Sequence, residues 1–327
     1  MIITKTPFRI SFVGGGSDLP AYFEKQPGAV LSTSIDKYMY ISTHAFFEKD
    51  KIRCKYSQTE TVDDVKNLQH PILRTVLEDF NLNGIEVSSI ADIPGGTGMG
   101  SSSSFTVGLL HNLSAYTERS YGKAELGAGA CRVEIDLLKE PIGKQDQYAA
   151  AFGGLNVIEF NPDGSVAVHP VNISNKTRNT LNTNLKLYYL GNQRSASAIL
   201  AEQKENTTQE SKFQALTTMV SLVYKLRDAL EAGNLDDFGS LLHENWLLKQ
   251  QLASGITNTR ITEAYAAGRE AGALGGKLLG AGGGGFMLFY APAAAHALLD
   301  ETMKKIEAEP FHFNMETEGS KIIHIER

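Results

Sequence analysis

Pro94-Gly95-Gly96-Thr97-Gly98-Met99-Gly100-Ser101-Ser102-Ser103-Ser104-Phe105 is the stretch on which the reading of this chain turns. Its glycines let backbone N–H groups face an anion with no Cβ in the way. Beyond the serines, Phe105, Leu109, Leu113 and Tyr116 recur at helical spacing. The loop therefore opens a helix, and the positive end of that helix points at whatever the loop holds. A phosphate is the natural guest, with the serine hydroxyls as added donors and one of them as a metal ligand. No Gly-Lys-Ser/Thr follows, so this is not a Walker loop, and Gly96-x-Gly98-x-Gly100 lacks the dinucleotide spacing. The nearest downstream acid, Glu118, lies within the helix and not at a strand end. A plain glycine turn between strand and helix is the alternative.

Composition narrows the class. With 327 residues, 42% hydrophobic and 21% charged, the chain has the length of two ordinary domains and a globular balance. The net charge of −6, with no basic block, argues against nucleic acid or an anionic membrane surface as partner. Two cysteines, Cys54 and Cys131, stand far apart without a zinc or disulfide pattern, which suits a reducing cytoplasm. The eight histidines form no ligand-spaced pair. Leu278–Leu299 carries no charge, but Gly280, Gly282 to Gly285, Pro292 and His296 break it into loop, strand 286–290, turn and helix start.

The remaining periodicities predict a mixed order of elements. Strands are expected in residues 1–60, at 84–90, 153–160, 165–171 and 185–190, with a hairpin across Asn161-Pro162-Asp163-Gly164. Helices are expected at 71–80, 101–119, 123–138, 212–232, 241–252 and 261–273, and from 302 a helix followed by strands. Residues 175–184 are polar and aperiodic, so the domain boundary is placed there: 1–180 and 181–327. The mixture favours α+β over a doubly wound α/β fold.

Three segments together resemble the GHMP family of small-molecule kinases. They are Pro7-Phe8-Arg9-Ile10-Ser11-Phe12-Val13-Gly14-Gly15-Gly16-Ser17-Asp18-Leu19-Pro20, the serine loop, and Lys277-Leu278-Leu279-Gly280-Ala281-Gly282-Gly283-Gly284-Gly285-Phe286. The resemblance implies two domains, the first with a left-handed βαβ unit and the second ferredoxin-like, with the active site between them. It implies ATP and Mg²⁺. Within the family the chain is similar to the branch that phosphorylates the anomeric hydroxyl of a heptose 7-phosphate, so a small-molecule sugar phosphate is the expected partner. The fucokinase branch shares some of these features. Whether the chain forms a homodimer is left open by the sequence.

Matched position by position, the resemblance assigns roles. Phosphoryl transfer needs a triphosphate cradle, a bridging cation and a placed acceptor hydroxyl. The cradle is Pro94, Gly96, Gly98, Gly100, Ser101, Ser102, Ser103 and Ser104. Ser102 matches the magnesium-ligating hydroxyl, and Glu134 is the candidate carboxylate beside it. Its interval to Asp146 is one residue longer than in mevalonate-type members (146 − 134 = 12), which leaves Asp136 and Glu140 as alternatives. Asp146, in Gly143-Lys144-Gln145-Asp146-Gln147, is the expected general base, and Arg9 its cationic companion. Galactokinase-type members carry Gly-Glu-His-x-Asp five residues past the arginine. Here Arg9 and Asp18 match, while Gly15 and Gly16 replace the glutamate and histidine, which suits a bulkier sugar. Gly15, Gly16, Ser17 and Asp18 are assigned to the sugar, Arg194 to its phosphate, and Gly283 and Gly284 to close backbone approach.

Overall fold

The computed structural model describes residues 1–191 and 196–326. The chain builds two sheets. The first starts with β1 (Ile2–Val13), followed by a short helix α1 (Pro20–Phe23), β2 (Gly28–Ala45), β3 (Ile52–Lys55) and β4 (Thr59–Val62). Helix α2 (Pro71–Phe80), β5 (Ile85–Ala91), α3 (Ser101–Tyr116), α4 (Lys123–Cys131), a π-helical turn at Arg132–Leu137 and α5 (Gln145–Phe152) come next. The hairpin β6 (Leu155–Phe160) and β7 (Val166–Pro170) turns at Asn161–Ser165, with Gly164 at φ 84°.

The second half runs α6 (Asn175–Asn184), β8 (Leu185–Tyr189), α7 (Ala196–Asn206), α8 (Glu210–Glu231), α9 (Asp236–Lys249) and α10 (Thr259–Glu270). It continues through β9 (Gly275–Leu278), β10 (Phe286–Tyr290), α11 (His296–Lys305), β11 (Glu309–Phe311), β12 (Met315–Glu316) and β13 (Lys321–Ile325).

Among the described residues the first sheet has nine strands, ordered β13-β1-β2-β5-β3-β4, with β6 and β12 also pairing with β2 and β7 with β6. It is antiparallel except for β3 against β5, whose connection passes through α2. The second sheet is ordered β11-β8-β10-β9 and is antiparallel throughout. Numbered within itself that order is 4-1-3-2, the ferredoxin-like arrangement of a βαββαβ chain. The α+β class follows from this mixture.

Helix α3 sits at the centre. Phe105, Val107, Leu109, Leu110 and Leu113 are buried on its several faces, each worth about 1.5–3 kcal/mol of burial. Enclosed all round, the helix bonds its buried hydroxyls and the Asn112 amide nitrogen, while Asn112 Oδ1 has no partner. Asn112 Nδ2 donates to the carbonyls of Ile2 and Ile41, and Ser104 Oγ to that of Pro7. Gly108 sets the closeness of the helix to β1: a Cβ there would lie 2.8 Å from Thr6 Oγ1.

Two sequence expectations change. Residues 175–184 form helix α6. Ser174 caps it by accepting from the Thr177 N–H, and Leu181 and Thr177 are the only side chains it buries, so its periodicity is too sparse to show. The final strands do not stay in the second unit: β13 pairs with β1 and β12 with β2. The division at 180/181 therefore remains our proposal for where the chain crosses over, but the stretch from Met315 on returns to the first sheet.

Candidate active site

The two halves meet in a cleft of about 360 Å³, lined among others by Arg9, Gly16, Asp18, Gly96, Gly98 and Gly100 to Ser103 from one side. Lys249, Leu279, Gly280, Ala281, Gly282 and Gly284 line it from the other. The glycine loops touch backbone to backbone. A Cβ on Gly98 would stand 2.6 Å from the Leu279 carbonyl oxygen, and one on Gly285 would stand 2.5 Å from that of Thr97. Only glycines permit this approach, and both positions also have positive φ, 85° and 97°.

Strand β1 carries Arg9 into the cleft floor, where it is 4% exposed. Its Nε donates to Asp146 Oδ1 at 2.7 Å and its Nη2 to Oδ2 at 2.6 Å, while Nη1 donates to the Gly98 carbonyl at 2.6 Å. Asp146 occupies the first turn of α5. One guanidinium thus fixes the carboxylate in bidentate fashion and ties it to the glycine loop. Gly100 has φ 74°, a conformation that favours glycine, and a Cβ there would press on Asp146 Oδ2 at 3.2 Å.

The serine loop divides its labour. Gly96, Gly98 and Gly100 have φ of 77°, 85° and 74° and line the cleft with Ser101, at the N-terminus of α3. Ser102 Oγ donates to Glu134 Oε1 at 2.7 Å and Ser103 Oγ to Oε2 at 2.8 Å. Gln147 Nε2 also donates to this carboxylate, which is 1% exposed, and Thr106 Oγ1 shares its one hydrogen between the carboxylate and the Ser102 carbonyl. Burial pushes the Glu134 pKa up, and these hydrogen bonds pull against that.

Glu134 lies in the π-helical turn, where Leu138 N–H reaches back to the Val133 carbonyl. A π turn holds one more residue than an α turn, which accommodates the extra residue in the interval to Asp146. Asp136 and Glu140 are exposed; Glu140 accepts from Ser197 Oγ. Two cradle assignments do not hold. Ser104 is spent on the Pro7 carbonyl, and Pro94 does not line the cleft, its carbonyl accepting from Thr97 Oγ1.

On the acceptor side, Asp18 is buried, with Oδ1 accepting from the Gly16 N–H at 2.9 Å and Oδ2 from the Gln145 N–H at 3.4 Å. Burial raises its pKa. A side chain on Gly143 would collide with Oδ2 at 1.9 Å, which explains the glycine of that segment. Gly16 lines the cleft, while Gly15 lies buried just behind. Ser17 does not face the sugar: its Oγ bonds the carbonyls of Gly14 and Ala29 and accepts from the Ala29 N–H. Gly284 lines the cleft, but Gly283 is buried with its N–H on the Ile256 carbonyl. Arg194 lies outside the described residues.

Sequence reading missed two buried cations. Lys277 Nζ donates to the Ser11 carbonyl, 2.7 Å away, and its pKa lies well below the usual lysine value because of burial. Lys249 lines the cleft at 4% exposure, and burial lowers its pKa to about 8. Its signal was present: Phe238, Leu242, Trp246 and Lys249 share the buried face of α9. A lysine in step with a core stripe asks for a reason.

ATP and Mg²⁺ are compatible with these residues. The glycine loop opens amides at a helix N-terminus, and Ser102, having given its proton to Glu134, keeps oxygen lone pairs available. Among the described residues no cluster of three acidic, histidine or cysteine side chains could hold a metal alone. Cys54 and Cys131 are free and buried, and burial lifts the Cys54 thiol to about 12, so neither is a ready nucleophile. No described helix is long and apolar enough to cross a membrane.

Comparison with known proteins adds to this geometry. The model for the GHMP kinases N terminal domain matches residues 67–154, and that for GHMP kinases C terminal matches 226–305. A D-glycero-alpha-D-manno-heptose 7-phosphate kinase of Campylobacter jejuni is 28% identical over 98% of both chains. An L-fucokinase/L-fucose-1-P guanylyltransferase of Bacteroides fragilis is 31% identical over 89% of this chain and 35% of its own. The crystal structure of a D-glycero-D-manno-heptose 1-phosphate kinase from Bacteroides thetaiotaomicron superposes with a TM-score of 0.82, covering 100% of both chains at 22% identity, a likeness of fold.

Proposed function

The chain belongs to the GHMP kinase family, and on that premise we propose that it transfers the γ-phosphoryl group of ATP to the anomeric hydroxyl of D-glycero-D-manno-heptose 7-phosphate, giving the 1,7-bisphosphate. As a member of that family it is a phosphotransferase with a hydroxyl acceptor. The observation that carries the assignment of roles is the Arg9–Asp146 clamp at the cleft floor, beside the glycine loop.

In this reading Asp146 accepts the proton of the acceptor hydroxyl as the new O–P bond forms and the bond to the ADP oxygen breaks. An anomeric hydroxyl is more acidic than an ordinary alcohol, which eases that proton transfer. Arg9 holds the carboxylate in its attacking register and brings positive charge beside the transferring group. Amides at Gly96 to Ser103 receive the phosphates. Ser102 and Glu134 would hold Mg²⁺, which would supply positive charge against the phosphates. Glu134 already accepts from Ser102, Ser103 and Gln147 and does not line the cleft, so Ser102 would be the direct contact and Glu134 the group that orients it.

Asp18 and Gly16 border the sugar. Arg194 is assigned to the existing phosphate; Ser197 and Leu200, shortly after it, line the cleft. The two free buried cysteines suit a reducing compartment, and we place the enzyme in the cytoplasm. A fucose-type acceptor is the second reading, favoured by the fucokinase similarity. Phosphorus-31 NMR of the product tests the position of transfer. A new phosphate resonance coupled to the anomeric proton is expected, and a monoester at any other carbon rejects the assignment.

A further inference from the structure

A buried ammonium without a partner is costly, because its lost hydration is not replaced. Lys249 is such a group: among the described residues its Nζ has no hydrogen-bond partner and no carboxylate at salt-bridge distance, and it borders the cleft. It shares this condition with neighbours. Gln145, also in the cleft wall, has a buried Oε1 with no partner, and Ser11 Oγ is likewise unbonded. These side chains converge. The point a Gly15 Cβ would occupy is 3.7 Å from Lys249 Nζ, 3.7 Å from Ser11 Oγ and 3.8 Å from Gln145 Nε2. Buried polar groups are ordinarily satisfied, so an unpaired ammonium in the cleft wall beside Asp18 and Asp146 marks a place where a ligand supplies the missing bonds.

We propose that Lys249 is a specificity-determining residue of the acceptor seat, donating, with the amide of the neighbouring Gln145, to the oxygens of a polyhydroxylated acceptor. The inference deepens the sugar-kinase reading and rests on it. A hydroxyl oxygen reaching Lys249 has its own hydrogen free for Asp18, so one polyol edge satisfies an ammonium and a carboxylate together. An acceptor lacking such an edge leaves them stranded, which is the stronger form of discrimination. The charged groups that face Lys249 are the carboxylates of Asp18 and Asp146 and the cations Arg9 and Lys277.

The test is Lys249→Met in the full-length protein, using whichever sugar or sugar phosphate the wild type turns over. The acceptor KM is expected to rise about tenfold to hundredfold while the ATP KM stays within twofold. The variant without ligand is expected to melt at a higher temperature than the wild type, because an unpaired charge has been removed. An acceptor KM within twofold of wild type overturns the inference, as does an equal rise in both KM values. The wild type alone gives a second reading. Its kcat/KM for the acceptor is expected to fall above about pH 8 as Lys249 loses its proton, and a flat profile to pH 9.5 overturns the inference. A wild type that turns over no polyol at all breaks the sugar-kinase reading itself, before any variant is compared.

Discussion

Glu134, buried behind Ser102 and Ser103 of the cleft wall, and Lys249, buried in that wall, are treated in opposite ways. Glu134 accepts from Ser102, Ser103, Thr106 and Gln147 and is complete in the protein alone. Lys249 has no side-chain hydrogen bond among the described residues. The first carboxylate is closed within the protein, although Gln147 Oε1 beside it has no partner, and it ties the start of α3 to the π turn without help from a ligand. The second charge is open, and its completion is left to the acceptor. On the proposed reading the nucleotide half is preorganised for a common donor, while the acceptor half stores its selectivity in unmade bonds. Between them, Arg9 bonds both the Asp146 carboxylate and the glycine loop, so the two halves share one fixed point.

That shared point gives the largest effect. Asp146→Asn keeps the shape but removes the proton acceptor and half of the charge pair. The kcat is expected to fall about 10²- to 10⁴-fold, with ATP affinity, read by calorimetry, within a few-fold of wild type. Near-normal turnover would remove Asp146 from the chemistry.

Next comes the closed network. Glu134→Ala strands three donors, Ser102, Ser103 and Gln147, the last two on buried residues, at about 1–3 kcal/mol each if unrelieved, while Thr106 keeps the Ser102 carbonyl. The melting temperature is expected to drop by many degrees, opposite in sign to the expectation for Lys249→Met. Equal signs for the two variants would erase the distinction between closed and open networks.

The pH dependence of stability sharpens the same contrast. Lys249 has a folded pKa of about 8 against an ordinary 10.5, so between these values the unfolded chain binds more protons. Its contribution to stability therefore rises with pH across that window, by at most about 1.4 kcal/mol per pH unit. Lys277 acts in the same direction. Urea unfolding at pH 7.5 and pH 10 is expected to show wild type gaining on Lys249→Met at the higher pH; a constant difference would mean that Lys249 is not desolvated. The smallest effect belongs to Thr106→Val, which removes the shared donor from Glu134 and should cost about 1 kcal/mol in the same measurement.

Much of this was legible in the sequence, and the failures have physical causes. The serine loop, the hairpin at Asn161-Pro162-Asp163-Gly164 and the helix at 71–80 are local, with the turn residues and periodicity carrying the signal. Arg9, Asp18 and Asp146 were found by motif and meet in one cleft. What failed was non-local. Ser17 and Ser104 sit inside functional-looking motifs, yet their hydroxyls are consumed by the carbonyls of Gly14, Ala29 and Pro7, which only the folded chain brings near. The return of β13 to β1 joins residues at opposite ends of the chain and leaves no trace in either segment. Helix α6 hides because it buries only Thr177 and Leu181. Lys249 could have been found from its place on the apolar face of α9.

The most direct test of the account is ADP release with ATP and Mg²⁺ across free and phosphorylated sugars: mannose, fucose, galactose, sedoheptulose 7-phosphate, and D-glycero-D-manno-heptose with and without its 7-phosphate. Turnover confined to the heptose 7-phosphate is the predicted result. Preferred turnover of an unphosphorylated sugar, or none with any of them despite tight nucleotide binding, would contradict it.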